Sequence, residues 1–414
     1  MKILIISPFF PYPPDDGDKI RLYNIIKRLA ITHEVSIISF VKSLNENKFK
    51  FNLNKYCSRV ETVISKERSR INKFYTLIKC IFYGEPAESK LAFDNEMKEV
   101  IRRVAMTDKY DIVQIEHPLM APYIKYLARS YNAKKIIVVH NIGFVQYRRE
   151  FLKARKLISN IRMFVNMIMA KKWEVKSIKK FDKCITVSLL NKKILNSLNS
   201  KLNISVIENG VDIDIYKPLP INANMNKILL IGSMNYVPNQ DAVFYFYNKI
   251  FPLIRKQLPE SKLFIVGKWP SKKIEDLVED INVVVSGYVD DVIPFYQCCD
   301  VTVVPLRAGG GTRLKIPESM ALGRPVVSTS IGCEGLNVVD GEHLLVADSP
   351  EQFAESIISL LTDRGLYERI RTNARQLVVN HYDWDAITGQ LLDVYNESLR
   401  QVGTQNKSFQ SARS

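Results

Sequence analysis

The residues best equipped for chemistry sit in one loop. After the apolar run VTVVP the chain reads LRAGGGTRLKIPESMALGRPVV. Gly309, Gly310 and Gly311 expose backbone N–H groups at the start of a predicted helix, Thr312 follows, and Arg313 and Lys315 add positive charge. That combination suits a diphosphate. Glu318 lies close enough to the helix start to hydrogen-bond sugar hydroxyls of the same ligand. A flexible lid is the other use of a triple-glycine run. The chain has no G-x-x-x-x-G-K-[ST] run and no strand followed by G-x-G-x-x-G, which argues against a P-loop nucleotidase and against a dinucleotide-binding dehydrogenase.

Three further loops follow apolar runs. KKIIVV ends at His140, and with only five histidines in the chain, one at the carboxyl end of a buried strand is a candidate proton-handling or polar group. His117, after DIVQIE, competes with it, and either could instead satisfy backbone groups. His33 precedes its strand and reads as structural. The first run, KILIIS, leads into PFFPYPPDDGDKIR, where Gly17 lets backbone approach a ligand before a helix that begins near Asp18, capped by Asp16 or Asp18. SGYVDD at 286–291, carrying Tyr288 and Val289, is a turn whose exposed backbone could pair with a nucleobase edge.

The elements that must hold these loops form a repeating pattern of short β-branched runs and helical stretches. Strands are predicted at 2–6, 34–40, 59–64, 111–115, 135–139, 183–187 and 204–207, then at 227–231, 262–266, 281–285, 300–304, 325–329 and 343–346. Such alternation predicts parallel sheets covered by helices, an α/β fold of two doubly wound domains. In that fold ligands bind outside the carboxyl ends of the strands. The pattern lapses over 209–226, the best candidate boundary, and the polar end at 403–414 reads as disordered.

The chain has 414 residues, long enough for two or three domains with full cores. Its six cysteines show no C-x-x-C spacing, which points to a reducing, cytoplasmic setting. No apolar run reaches the ~18–20 residues of a spanning helix, and MKILIIS is too short for a signal-peptide core. The net charge of +16 is uneven: 40 basic against 21 acidic residues precede Pro218, and 19 against 22 follow. Residues 148–181 alone carry 11 basic and 2 acidic residues. Tyr147, Phe151, Ala154, Ile158, Ile161, Val165 and Ile168 fall on one stripe there, so the segment reads as a basic amphipathic helix, either lying on an anionic membrane surface or packing its stripe on the core. No nucleic-acid module accompanies the charge, and no nucleic-acid partner is expected.

Taken together, KILIISPFFPYPPDDGDKIR, THEVSIISF, VVHN, VIENGVD, IGSMNYVPNQDAV, LFIVGK, SGYVDD and GGGTRLKIPESMALGRPVVSTSIGCEGL resemble the family-4 retaining glycosyltransferases, and in particular the bacterial branch found with exopolysaccharide and capsule genes. The resemblance runs over nearly the whole chain. It implies the GT-B fold, two facing Rossmann-like domains with a deep cleft between them. Residues 1–215 would form the acceptor-side domain and 216–382 the nucleotide-sugar domain, with a helix at about 383–400 returning to the first and a hinge near 209–217.

The implied activity is retaining transfer of a sugar from a nucleotide-sugar donor to a glycan or lipid-linked glycan, without a metal or other cofactor, in the cytoplasm or peripherally at the inner face of the membrane. Acceptor attack and diphosphate departure would share one face of the sugar, with the leaving phosphate taking the acceptor proton. The resemblance assigns Glu318 to the ribose hydroxyls, His140 to the donor sugar and Gly17, with Arg21 behind it, to the phosphate-approaching loop. Asp16, Arg21, His117 and Asn209 fall on the acceptor side. Two family features are missing. The carboxylate eight positions before Glu318 is replaced by Gly310, and GSMNYVPNQ lacks the basic pair that clasps the diphosphate, a charge that Arg313 and Lys315 would supply. A nucleotide-sugar 2-epimerase of the same fold and a non-catalytic sugar-nucleotide-binding partner are the alternatives.

Overall fold

The computed structural model describes residues 1–65, 93–127, 132–145, 147–148, 157–221, 225–309 and 313–411. The chain divides into two compact units, Met1–Glu208 with Ile387–Ser414, and Asn209–Ala386. Asn209 and the segment to 215 therefore belong to the second unit, not the first as the sequence suggests.

The first unit is built on seven strands: β1 (Lys2–Ser7), β2 (Glu34–Val41), β3 (Arg59–Ile64), β4 (Ile112–Glu116), β5 (Lys134–Val139), β6 (Lys183–Thr186) and β7 (Ile204–Val206). They are parallel throughout, in the order β3-β2-β1-β4-β5-β6-β7. Ile3, Leu4, Ile5 and Ile6 of β1 are all fully buried, as a central strand covered on both faces requires. The helix Gly17–Leu29 covers one face. Asp16 caps it by accepting from the Lys19 N–H (3.0 Å), and Leu22, Ile25, Ile26 and Leu29 line its buried side. Each such side chain contributes about 1.5–3 kcal/mol by leaving water, so an Ile25→Ala change would loosen the face that aims the preceding loop.

The second unit holds β8 (Lys227–Ile231), β9 (Lys262–Val266), β10 (Val283–Gly287), β11 (Val301–Val304), β12 (Val326–Ser328) and β13 (Leu345–Val346), parallel and ordered β10-β9-β8-β11-β12-β13. All thirteen strands coincide with predicted runs. The offset at β10 has a local cause: Asp280 accepts from the Asn282 N–H (3.0 Å), a turn that delays the strand to Val283. In both sheets the order reverses beside the first strand, between β1 and β4 and between β8 and β11, so the loops leaving those strands flank the crevices where doubly wound sheets bind ligands.

The helix Trp384–Ser411 crosses from the second unit to the first, where Ile387, Leu391, Val394 and Tyr395 are buried and Glu397 pairs with Lys183 (3.2 Å). It continues through 403–411, where composition predicts disorder; 412–414 lie outside the described residues. The basic segment differs from its prediction. Its described helix is Leu157–Ile178, and the face turned to the core carries Ala170, Trp173, Glu174, Ser177 and Ile178, whereas Ile168 of the predicted stripe is 40% exposed. Residues 149–156 of the segment lie outside the described residues. No described helix is long and apolar enough to cross a membrane.

Candidate active site

In the first unit the loops after β1, β4 and β5 bring three titratable side chains together. His140 is almost wholly buried, its Nε2 2.6 Å from Glu116 Oε2 and its Nδ1 3.1 Å from Asp18 Oδ1. Burial alone would strip the ring of its proton, but the two carboxylates outweigh it and raise His140 to about 9. The ring is an imidazolium at neutral pH. In return, although burial works against it, the His140 charge holds Asp18 below the usual carboxylate range. Asp18, with 41% of its side chain exposed, is the open end of the group.

The chain of contacts continues inward. Gln114 donates to Glu116 through its amide and accepts from the Tyr395 hydroxyl, so a buried polar path runs from the C-terminal helix through β4 to His140 and Asp18. Arg21 is buried beside these groups and donates to the Glu208 carbonyl (2.6 Å). It therefore neutralises negative charge within the unit and braces the end of β7's loop. His117 does something else. It has a backbone φ of 74°, its Nδ1 accepts from the Leu119 N–H (3.2 Å), and burial together with the His140 charge lowers it to about 4. It is a neutral cap on the turn Pro118–Tyr126, not a second proton-handling group. Asp16 is likewise committed to its helix cap, while Gly17 is the first residue of that helix.

In the second unit the corresponding place is the carboxyl ends of β8 and β11. Lys315 Nζ lies 3.4 Å from Asn239 Oδ1, and a Cβ added to Gly232 would meet both Lys315 Nζ and Asn239 Nδ2 at 2.7 Å. Lys315 thus reaches the GSMNYVPNQ segment that lacks basic residues of its own. Gly309, at a φ of +118° that side chains avoid, packs so that a Cβ would come 2.9 Å from the Tyr236 hydroxyl and 3.3 Å from Arg313 Nη2. Arg307 makes a two-point pair with Asp241 (3.0 and 2.6 Å), tying the start of this loop to the helix Val237–Tyr245. Gly310, Gly311 and Thr312 lie outside the described residues.

Glu318 stands one turn into the helix Lys315–Ala321. Burial raises it to about 7, partly offset by Lys315; burial and the Arg313 charge lower Lys315 to about 7. Arg313 itself is 6% exposed. The Arg313 charge thus works against a charged Lys315, a repulsion that a bound anion would relieve. The negative charge of Glu318, followed by burial, also drives the Tyr216 phenol upward. Of the 286–291 turn, Tyr288 is exposed and Val289 packs on the apolar cluster around Leu229 and Tyr296. Asn209 is buried. Among the described residues no group of His, Cys, Asp and Glu is arranged to hold a metal.

The sequence reading names His140, Arg313, Lys315 and Glu318, and the structure sets the first beside Asp18 and Glu116 and the other three near one another at the second sheet. The same reading misses Glu116 and undervalues Asp18, although Glu116 carries a signal: a carboxylate that ends an otherwise apolar strand at the sheet's switch point.

Residues 17–215 match the model of Glycosyltransferase Family 4, and residues 225–363 match that of the Glycosyl transferases group 1. A 44.6 kDa uncharacterized protein of the cps region of Klebsiella pneumoniae is 25% identical over 400 residues, 92% of this chain and 96% of that protein. The capsular polysaccharide biosynthesis glycosyltransferase CapM of Staphylococcus aureus is 26% identical over 52% of this chain and 61% of its own length. The structure of Anabaena HepE in complex with UDP superposes with a TM-score of 0.68 at 17% identity, covering 96% of this chain and 100% of that one. With two parallel Rossmann-like sheets, a family match over each half and full-length structural likeness, this chain belongs to the family-4 and group 1 glycosyltransferases of GT-B fold.

Proposed function

We propose that the protein is a retaining glycosyltransferase that moves a sugar from a nucleotide-sugar donor to a glycan or lipid-linked glycan during bacterial surface-polysaccharide synthesis, without a metal. The observation that carries this reading is the convergence of Gly232, Asn239, Arg313, Lys315 and Glu318 at the switch point of the second sheet. Glycine backbone without side chains at Gly232 and Gly309 and the Arg313 and Lys315 cations suit a diphosphate, and a carboxyl one helical turn away suits ribose hydroxyls. The UDP in the HepE structure and the capsular role in CapM's name support the donor class and the pathway.

Donor binding falls to the second unit and acceptor binding to the first. As the sugar–phosphate bond lengthens, negative charge grows on the diphosphate, and Arg313 and Lys315 stabilise it where it develops. The acceptor hydroxyl attacks from the face the diphosphate leaves, so configuration is retained and the departing phosphate takes the acceptor proton. No protein carboxylate forms a covalent intermediate. His140, charged and held between Glu116 and Asp18, keeps the half-exposed Asp18 carboxylate ionised and oriented at the open end of the first unit's polar group, where an acceptor hydroxyl can reach it. The excess of cations in the first unit supports a position in the cytoplasm at the inner face of the membrane.

A panel of UDP-, GDP-, TDP- and ADP-sugars, screened for protection against thermal unfolding, tests the donor. One base should protect strongly, and the product formed from it should keep the anomeric configuration of the donor. No protection by any sugar nucleotide, or an inverted product, overturns the reading.

A further inference from the structure

The first unit has a second concave feature, away from His140. A groove enclosing about 960 Å³ lies along the helix Leu157–Ile178 and reaches Leu198 at the end of the helix Leu189–Leu198. That volume is at the top of the ~300–1,000 Å³ range of small-molecule sites. Along the helix it follows one stripe at steps of three and four, and the stripe changes character along the axis. Phe164, Met167 and Ile168 make one end apolar, with Phe164 46% and Ile168 40% exposed. Lys172, Lys176 and Lys179 belong to the other end, and five cations line the groove in all. Phe164 and Lys176 are twelve residues apart, about 18 Å at 1.5 Å per residue.

The one acidic residue of this helix does not offset the lysines from within the stripe. Glu174 is buried toward the core beside the stripe, where its carboxylate accepts from the Gly143 N–H (2.6 Å) and Phe144 N–H (3.4 Å). A helix that lies on a membrane carries its apolar face along its whole length with cations flanking it. Here the exposed apolar side chains, Phe164 and Ile168, gather at one end and Lys172, Lys176 and Lys179 at the other, with the half-buried Val175 among the lysines, which matches an elongated ligand with a chain at one end and an anion at the other.

We propose that this groove binds a long-chain lipid phosphate, its chain along Phe164, Met167 and Ile168 and its phosphate among the lysines, as the lipid part of the acceptor. The inference rests on the lipid-linked acceptor reading above and deepens it. Lysine suits the phosphate as a mobile point charge, and preference for a lipid phosphate over a free one comes from the adjoining apolar end.

The test uses the full chain and phosphatidylcholine vesicles doped either with a long-chain polyprenyl phosphate or with phosphatidylglycerol at equal surface charge. The protein should bind the polyprenyl phosphate vesicles at least tenfold more tightly. Ile168→Glu, and separately Phe164→Ser, should abolish that preference, and both side chains are exposed enough for the fold to survive. Lys172→Glu with Lys176→Glu should weaken binding to both vesicles at least tenfold. Equal affinity for the two vesicles, or a preference that survives both apolar variants, overturns the proposal in favour of general attraction to an anionic surface. Transfer to a soluble glycan is measured in parallel: if it persists while the preference is absent, only the lipid site fails.

Discussion

Glu116 Oε2 lies 2.6 Å from His140 Nε2, with both side chains 2% exposed. The pair fixes the ring's orientation and its charge together, because a buried imidazolium persists only against a partner of opposite sign. Glu116→Gln keeps the shape and removes half of the compensation. His140 should then titrate well below about 9, and transfer should drop at least tenfold with the alkaline limb of the pH–rate profile moved to lower pH. Ring-proton NMR titration reads the first and kinetics the second. An unmoved limb would separate His140's charge from the reaction.

The same pair makes stability depend on pH. His140 is raised from 6.5 to about 9 on folding, so its contribution is complete below about pH 6.5 and lost as pH rises through 9. At 1.36 kcal/mol per unit this is on the order of 3 kcal/mol. Burial raises Glu208 to about 7, so its own contribution is lost between about pH 4.5 and 7, before that window. Lys315, lowered from 10.5 to about 7, contributes in the opposite sense above pH 7, so the His140 part is read as a difference: the gap in melting temperature between wild type and His140→Asn should be widest near pH 6.5 and narrow as pH rises through 9.

On the donor side, Lys315 at about 7 is half charged in neutral solution without a ligand. A diphosphate needs the charged form, so donor affinity measured by calorimetry should weaken several-fold from pH 7 to 8. Lys315→Arg should flatten the dependence because a guanidinium stays charged. Arg313→Ala and Glu318→Ala should each lower transfer at least tenfold with the circular dichroism spectrum unchanged; near-normal turnover in both would remove the donor site from this loop.

Gly232→Ala strikes the donor loop and the fold together. The new methyl would stand 2.7 Å from Lys315 Nζ and Asn239 Nδ2, both ends of movable side chains. But Asn239 is buried and its Nδ2 already donates to the Ser233 carbonyl (2.8 Å), and a φ of +159° is one that side chains rarely adopt, so the fold also loses stability, about the 1–3 kcal/mol of overpacking. Donor affinity should fall at least tenfold because the displaced groups are those meant for the diphosphate. A stability loss with affinity intact would be the wrong way round for this site.

The sheets are legible in the residues because strands buried on both faces, such as KILIIS and VTVV, leave near-continuous apolar runs with sharp ends. His140 is legible because histidine is rare and stands just past such a run. Glu116 is less visible: DIVQIEH ends in two polar residues, and the eye falls on His117, whose ring the backbone claims through Leu119. Asp18 and Asp16 look alike in DDGDK, and only the placement of β5 brings Asp18 to His140. The basic segment misleads for a related reason. Its apolar residues outnumber the places on one face, and the stripe that packs includes Glu174 and Ser177, which no hydrophobic pattern would include.

Tyr395 belongs to the last helix, yet its hydroxyl reaches Gln114, next in line to Glu116 and His140. During synthesis the seven strands of the first unit leave the ribosome long before that helix. At about 5–20 residues per second the 178 residues of Asn209–Ala386 impose a wait of roughly 10–40 s. Throughout it Gln114 lacks its phenol and Lys183 lacks Glu397, so the nascent first unit is an open-sided sheet whose charge-setting path ends in water. The far end of this path is completed only after the whole second unit has been made, and a chain clipped before Tyr395 would hold the Asp18 and Glu116 that charge His140 and still lack the hydroxyl that steadies Gln114.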